Sequence, residues 1–277
     1  MEAIMEVKNL CKIYDSLIAV DGISFEVFEG EIFGMVGPNG AGKTTTIECI
    51  EGLRRPDGGQ VRLLGMDPWQ KRREIAEQVG VQLQESALPS RLRVREALAM
   101  FASFYEHQAD ADELIDRLGL SDKRTAAFEL TTGLDPQARR SMWDLVRQIR
   151  EDGCTVFLTT HFMEEAERLC DRVAIIDRGR IIALDTPEAL IHALGTEKRL
   201  IFTLPEGQAA PEFPNLPQVR RVEQSGSRLV VYGQGERFVS SVVYALEEAH
   251  SQFLDLRTEQ PNLEDVFLSL TGREMRG

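Results

Sequence analysis

Residues 37–44 read Gly-Pro-Asn-Gly-Ala-Gly-Lys-Thr, the octet G-x-x-x-x-G-K-[ST]. Glycines at this spacing let successive backbone N–H groups point inward around an anion. The lysine adds a point charge on the β- and γ-phosphates, and the following threonine hydroxyl is a ligand for Mg²⁺. The chemistry expected of Gly37, Pro38, Asn39, Gly40, Ala41, Gly42, Lys43 and Thr44 is therefore the holding of a nucleoside triphosphate. A glycine-rich surface turn would have no need of the Lys43-Thr44 pair.

Such a loop requires a strand before it and a helix after it. Glu31–Val36 reads as a short buried strand, and Thr44–Leu53 as a helix whose N-terminus faces the phosphates. Upstream, Met5–Lys8 and Ile23–Val27 alternate as strands, with turn signals at Asp21-Gly22 and Glu29-Gly30. Downstream, Pro56–Gly59 is a turn into a strand over Gln60–Leu64; Pro68–Gln78 reads as helix and Gly80–Gln84 as a short strand. Leu92 to Leu118 is helical in pattern, with Gly119 as its stop. A helix over Pro136–Glu151, a buried strand over Thr155–Thr159 and a Glu-rich helix over Phe162–Cys170 follow. Val173–Ile176 and Ile181–Leu184 then read as a hairpin around Asp177–Arg180, and Pro187 opens a further helix.

Beyond residue 198 the register changes. Pro205, Pro211, Pro214 and Pro217 mark a loop flanked by the strand-like runs Leu200–Leu204, Val219–Val222 and Leu229–Tyr232. A helix over Glu236–Ala249, a strand over Phe253–Arg257 and a helix over Leu263–Leu270 complete the tail; Asn262 with Asp265 signals the last helix's start and Gly272 its stop. The fold class expected is α/β with a helical subdomain, plus a small α+β C-terminal appendage. The domains expected are 1–198, with the helical subdomain at about 88–128, and 199–277.

The chain has 277 residues, 43% of them hydrophobic and 28% charged, as in an ordinary globular protein. A formal net charge of −13 argues against a nucleic-acid partner, which needs a basic stripe. No apolar run is long enough to span a bilayer, and Met-Glu-Ala-Ile-Met-Glu lacks the layout of a signal peptide. Cys11, Cys49, Cys154 and Cys170 are scattered without a C-x-x-C pair and fit reduced thiols rather than zinc ligands.

Several features converge on one family. Leu158-Thr-Thr-His161 ends a strand and precedes Phe-Met-Glu-Glu-Ala-Glu-Arg-Leu-Cys-Asp-Arg-Val-Ala; Thr131-Thr-Gly-Leu-Asp-Pro136 lies shortly before it, Gln84 follows Val81, and Tyr14 precedes the phosphate loop. This set resembles the ATP-binding subunit of an ABC transporter, a P-loop ATPase, over about residues 4–195. The tail segment Pro261-Asn-Leu-Glu-Asp-Val-Phe267 is similar to the C-terminal extension of bacterial multidrug or daunorubicin-type exporter ATPases.

The resemblance implies ATP and Mg²⁺ as ligands. It implies that Tyr14 stacks on adenine and that Gly37, Gly40, Gly42, Lys43, Thr44 and Thr45 hold phosphates. Gln84, with Gln82 as its rival, would ligate Mg²⁺ or position water and couple to the membrane subunit, while Thr44 supplies the other metal contact. Asp135 would act across a dimer, and His161 would contact the γ-phosphate. His107, His192 and His250 lack such a context and read as surface or packing residues. The resemblance further implies a membrane-spanning permease subunit and a second nucleotide-binding subunit as partners. It also implies a cytoplasmic location, peripheral on the inner face of the membrane, and export of a small molecule. The acidic balance and the exporter-like tail argue against a non-membrane role in DNA repair or translation.

The chain departs from the family between residues 122 and 135. The family carries there an L-S-G-G-Q signature, a helix, and an apolar strand ending in Asp-Glu. This sequence passes from Asp122-Lys-Arg-Thr-Ala-Ala-Phe-Glu-Leu130 straight to Thr131-Thr-Gly-Leu-Asp135. Glu129 stands two positions before the paired threonines, the family's place for the glutamate that polarises water, but Phe128 occupies the metal-ligating aspartate's place. The missing strand would be interior to the sheet, between the Gln84 strand and Thr155–Thr159, so its loss leaves edges that must re-pair. Each large apolar side chain lost with it would remove about 1.5–3 kcal/mol of burial, from a net stability of roughly 5–15 kcal/mol. The alternative function is therefore a degenerate, non-hydrolysing nucleotide-binding protein.

Overall fold

The structure is a computed structural model and describes residues 2–82, 92–105, 110–117, 121–123, 125, 136–195, 198–205, 213 and 216–273. The chain opens with β1 (Ala3–Tyr14), β2 (Leu17–Phe28), β3 (Ile32–Val36), α1 (Lys43–Ile50) and β4 (Gly58–Leu63). Then come α2 (Arg72–Ala76), α3 (Val94–Ala102), α4 (Ala111–Arg117), α5 (Pro136–Glu151), β5 (Val156–Thr160), α6 (Met163–Leu169), β6 (Arg172–Asp177), β7 (Arg180–Asp185) and α7 (Pro187–Ala193). The tail consists of β8 (Lys198–Thr203), β9 (Val219–Ser225), β10 (Arg228–Gly233), α8 (Phe238–Glu248), β11 (Leu254–Glu259) and α9 (Leu263–Thr271). The strands form three sheets, ordered β2-β1-β4, β5-β3-β6-β7 and β11-β8-β10-β9. Two compact units emerge: residues 1–33, 40–159 and 178–180 in the first, residues 34–39, 160–177 and 181–277 in the second.

In the first unit β1 pairs antiparallel with both β2 and β4. These strands run longer than their alternation suggested, because register shifts between Val7 and Leu10 interrupt the period of two around Asn9, whose φ is 50°. Gly59 lies opposite, at φ +81°, where a Cβ would fall 2.2 Å from the Asn9 carbonyl oxygen. Phe25, Phe33 and Phe157 stack with ring centroids 5.4–6.0 Å apart and tie β2, β3 and β5 together. Gly30 N–H donates to Thr155 Oγ1 at 2.9 Å and Val156 N–H to the Glu31 carbonyl at 3.0 Å.

Two expected elements differ. The helix expected over Pro68–Gln78 is confined to α2, because Asp67 Oδ1 accepts the Trp69 and Gln70 N–H groups and holds that stretch in a turn. Gly80–Gln82 form no strand and are exposed; the rest of that expected strand, Leu83 and Gln84, lies outside the described residues, as does Gly119. Among the described residues, β5 is the outermost strand of its sheet.

In the second unit the antiparallel sheet β11-β8-β10-β9 is covered on one face by α8. Leu200, Phe202, Leu229 and Val231 meet Phe238, Val242 and Leu246, all of them buried. At about 1.5–3 kcal/mol per buried side chain, this cluster forms the core between α8 and its sheet. α9 is capped as the sequence indicated: Asn262 Oδ1 accepts Asp265 N–H at 3.1 Å, Asp265 Oδ2 accepts Asn262 N–H at 3.0 Å, and Gly272 closes the helix at φ 68°. α9 packs on α6 and α7. Among the described residues, no helix is long and apolar enough to cross a membrane.

Candidate functional site

The phosphate loop joins the end of β3 to α1. All five residues of β3 are buried, which a loop held from beneath requires. Gly34 passes Cys170 so closely that a Cβ there would lie 2.5 Å from its Sγ. Gly37, also buried, presses on β6: a Cβ would stand 2.1 Å from the Ile176 carbonyl oxygen. Gly40 and Gly42 have φ +78° and +108°, values that exclude most side chains. Asn39 and Gly40 are exposed, Pro38 is half-buried, and Ala41 is buried. Ala41's carbonyl accepts the Gly179 N–H at 2.9 Å, and the Gly179 carbonyl accepts Asp21 N–H at 2.8 Å. Gly179 is itself at φ +79°, with a Cβ position 2.9 Å from the Ala19 carbonyl oxygen.

Gly42 is the N-cap of α1, and its carbonyl accepts both the N–H and the hydroxyl of Thr46 at 2.9 Å. Lys43 opens the helix. Its half-buried amine is held below the usual lysine range by desolvation. Thr44 is exposed and Thr45 half-buried on the first turn. Positive-φ glycines at a helix N-terminus and one desolvated lysine suit an anion of high charge. Among the described residues, no group of three His, Cys, Asp or Glu side chains could hold a metal ion.

Tyr14 ends β1 beside the hairpin turn. Arg54 and Lys12 lie over its ring at 5.0 and 5.6 Å. Arg54 also pairs with Glu48 at 2.6 Å. Asp57 braces the same strand end: its Oδ2 accepts Ile13 N–H at 2.7 Å and its Oδ1 accepts Lys12 Nζ at 3.1 Å. The Ile13 bond first, then Lys12, holds the Asp57 carboxyl below its ordinary value. Burial pushes the neighbouring Cys49 thiol up to about 11. Sequence reasoning missed Arg54 and Asp57; they lie more than a full helix from Tyr14 in the chain and only pairing of β1 with β4 brings them in.

His161 follows β5 directly and stands half-buried, its ring 3.9 Å from that of Phe162. The preceding residue fixes the turn. Buried Thr160 donates its hydroxyl to Glu165 Oε2 at 2.6 Å and accepts Phe162 N–H at 2.9 Å. The T-T-H-x-x-x-E spacing held this signal, though no role for Thr160 or Glu165 was read from it. His161 and Gly37–Asn39 belong to the second unit, Tyr14 and Gly40–Thr45 to the first. Gln84, Glu129 and Asp135 lie outside the described residues.

Comparison with known proteins matches residues 20–138 to a family described as ABC transporter. The curated "Nod factor export ATP-binding protein I" of Ralstonia nicotianae (strain ATCC BAA-1114 / GMI1000) is 37% identical over 309 residues, which cover 99% of this chain and 95% of that one. Its namesake from Paraburkholderia xenovorans (strain LB400) is 38% identical over 314 residues, 99% of each chain. Both alignments are longer than the 277-residue chain, so each contains positions with no residue of this chain opposite them. Among solved structures, "Structure of ATP binding subunit of ABC transporter" superposes with a TM-score of 0.61 at 24% identity, covering 69% of this chain and 93% of that one. A nucleotide-free ATP-binding cassette from an ABC transporter gives 0.58 at 20% identity, with 67% and 92% covered. These structures share its fold.

Proposed function

The chain belongs to the ABC transporter family as an ATP-binding subunit, and from that premise we propose that it binds MgATP and couples its hydrolysis to export of a small molecule. The observation that carries this reading is the loop at Gly37–Lys43. Gly37 leaves no room for a Cβ beside Ile176, Gly40 and Gly42 hold positive φ, and the loop's lysine is desolvated at a helix N-terminus. In this reading Gly37, Pro38, Asn39, Gly40, Ala41, Gly42, Lys43, Thr44 and Thr45 hold the phosphates. Thr44 and Gln84 hold Mg²⁺, which when bound would neutralise charge developing on the phosphates. Tyr14, flanked by Arg54, takes the adenine. His161, steadied by Thr160 and Glu165, donates to the γ-phosphate. Asp135 reaches across a dimer, and Glu129 polarises water. The domains are 1–198 for nucleotide and 199–277 as accessory. A membrane-spanning permease subunit and a second nucleotide-binding subunit complete the transporter, with this chain peripheral on the inner face of the membrane. The names of its relatives, which specify Nod factor export, support the export direction.

A second reading concerns turnover. The L-S-G-G-Q signature is absent from the sequence, and the alignments with relatives outrun the chain. Together these favour ATP binding with weak hydrolysis. The test is phosphate release with MgATP, alone and with the permease subunit in vesicles, using Lys43→Ala as control. Release from this chain abolished by Lys43→Ala supports the transporter reading. Binding of MgATP with release no greater than the control's supports the second. Failure to bind MgATP at millimolar concentration overturns both.

A further inference from the structure

α9 makes polar contacts at both ends. At its N-terminus, Leu263 N–H, one of the donors a helix leaves unsatisfied in its first turn, donates to Glu167 Oε2 of α6 at 3.2 Å. Just beyond its C-terminus, Arg273 Nη2 donates to Asp177 Oδ1 at 2.5 Å, at the end of β6. Asp177 is nearly enclosed, its side chain 12% exposed. Near the helix start, Arg199 of β8 donates to Asp265 Oδ1 at 2.5 Å. Arg199 also lies over the ring of Tyr232, 5.5 Å from its centroid, which joins this link to β10. Between the two ends the seam is apolar: Leu263, Val266 and Phe267 of α9 and Met163, Ala166 and Leu169 of α6 are all buried. All of these groups lie in the second unit.

α6 is short, and a single residue, Phe162, separates it from His161. The Thr160–Glu165 hydrogen bond ties its first turn to the end of β5. A shift of α6 therefore moves the turn that carries His161. At its far end, α9 holds the residue next to Ile176, whose carbonyl backs Gly37.

We propose that Glu167 is a positioning residue for His161, and that α9 is the strut through which the C-terminal appendage sets the placement of that histidine. The strut stands on the contacts alone. Its consequence for nucleotide rests on the reading of His161 as a γ-phosphate contact, given above. Weakening the strut loosens α6 and lowers preference for ATP over ADP, because only ATP offers a γ-phosphate.

The full 277-residue chain is compared with its Glu167→Ala, Glu167→Gln and His161→Ala variants. Hydrogen exchange of the 161–169 segment is one readout; MgATP and MgADP affinities by calorimetry are the other, with a thermal melt to show that each variant folds. In Glu167→Ala, exchange in α6 rises about fivefold for the loss of one hydrogen bond, with β1 and β2 unchanged. Glu167→Gln keeps an acceptor and restores protection. The ATP:ADP preference of Glu167→Ala falls about fivefold at constant MgADP affinity, toward that of His161→Ala. Unchanged α6 exchange in a folded Glu167→Ala overturns the strut. Looser α6 with the preference intact, while His161→Ala loses it, overturns the positioning role. An unaltered preference in His161→Ala itself overturns the γ-phosphate reading and leaves α6 exchange to decide the strut.

Discussion

Thr160 Oγ1 and Glu165 Oε2 stand 2.6 Å apart, the hydroxyl donating across the first turn of α6 while it accepts the Phe162 N–H. His161 sits inside this closed turn. Replacing Thr160 by valine keeps the shape and removes both of these hydrogen bonds. The expected cost is about 1–3 kcal/mol, since Thr160 is buried. Denaturant melts check the cost. Tighter binding of MgATP by Thr160→Val would count against a steadying role for this turn.

Lys43→Met is expected to abolish MgATP binding while leaving the ligand-free melting temperature within about 2 °C. The reason lies in the direction of the lysine's shift. A folded-state value held below 10.5 means that the fold binds the proton less readily than the unfolded chain does. The charge therefore opposes folding at neutral pH, and stability rises as pH climbs from the folded value to 10.5. Calorimetry with MgATP and a melt without it measure the two halves of this expectation.

Gly37→Ala places a methyl group 2.1 Å from the Ile176 carbonyl oxygen, a distance that backbone must move to relieve. Loss of MgATP affinity comparable to that of Lys43→Met is expected, together with a lower melting temperature. Gly80→Ala is the control, because nothing lies within 4 Å of its Cβ position. Equal affinities of the two alanine variants would refute the packing argument.

Phe33→Ala removes one of the three mutually stacked rings, Phe25, Phe33 and Phe157, from a site that is 0% exposed. A loss of about 3–5 kcal/mol is expected. Urea titration measures it, and a loss well below about 3 kcal/mol would show that the stack closes over the gap.

Asp57 adds a pH dependence. Its carboxyl is held below the ordinary 3.8 by Ile13 N–H and Lys12, so its contribution is present above pH 3.8 and is lost as pH falls through the lower folded-state value. Asp57→Asn should melt below the parent at pH 6, the gap narrowing as both are acidified past that value. A gap independent of pH would assign the effect to shape instead of charge.

Local signals were legible. The bounds of α5 and the cap at Asn262–Asp265 are each written in adjacent residues and appear there, and the loop from Gly37 runs to Gly42, with α1 over Lys43–Ile50 and not the expected Thr44–Leu53. What escaped depends on partners elsewhere in the chain. β1 runs through a bulge at Asn9 because β2 and β4 hold both its sides. Asp67 delayed the start of α2 by holding Trp69 and Gln70 in a turn through its own side chain. Alternation at Gly80–Gln82 gave no strand, because a strand needs a neighbour and periodicity does not supply one. Arg54 beside Tyr14 is likewise a product of folding, not of spacing.

Gly179 touches two places at once, giving its N–H to Ala41 and its carbonyl to Asp21. The loop at Ala41 is thereby joined to the turn between β6 and β7 and, through Gly179, to β2. Fraying at Ala41 breaks its bond to that turn, so a ligand held by the loop should be lost as the turn melts.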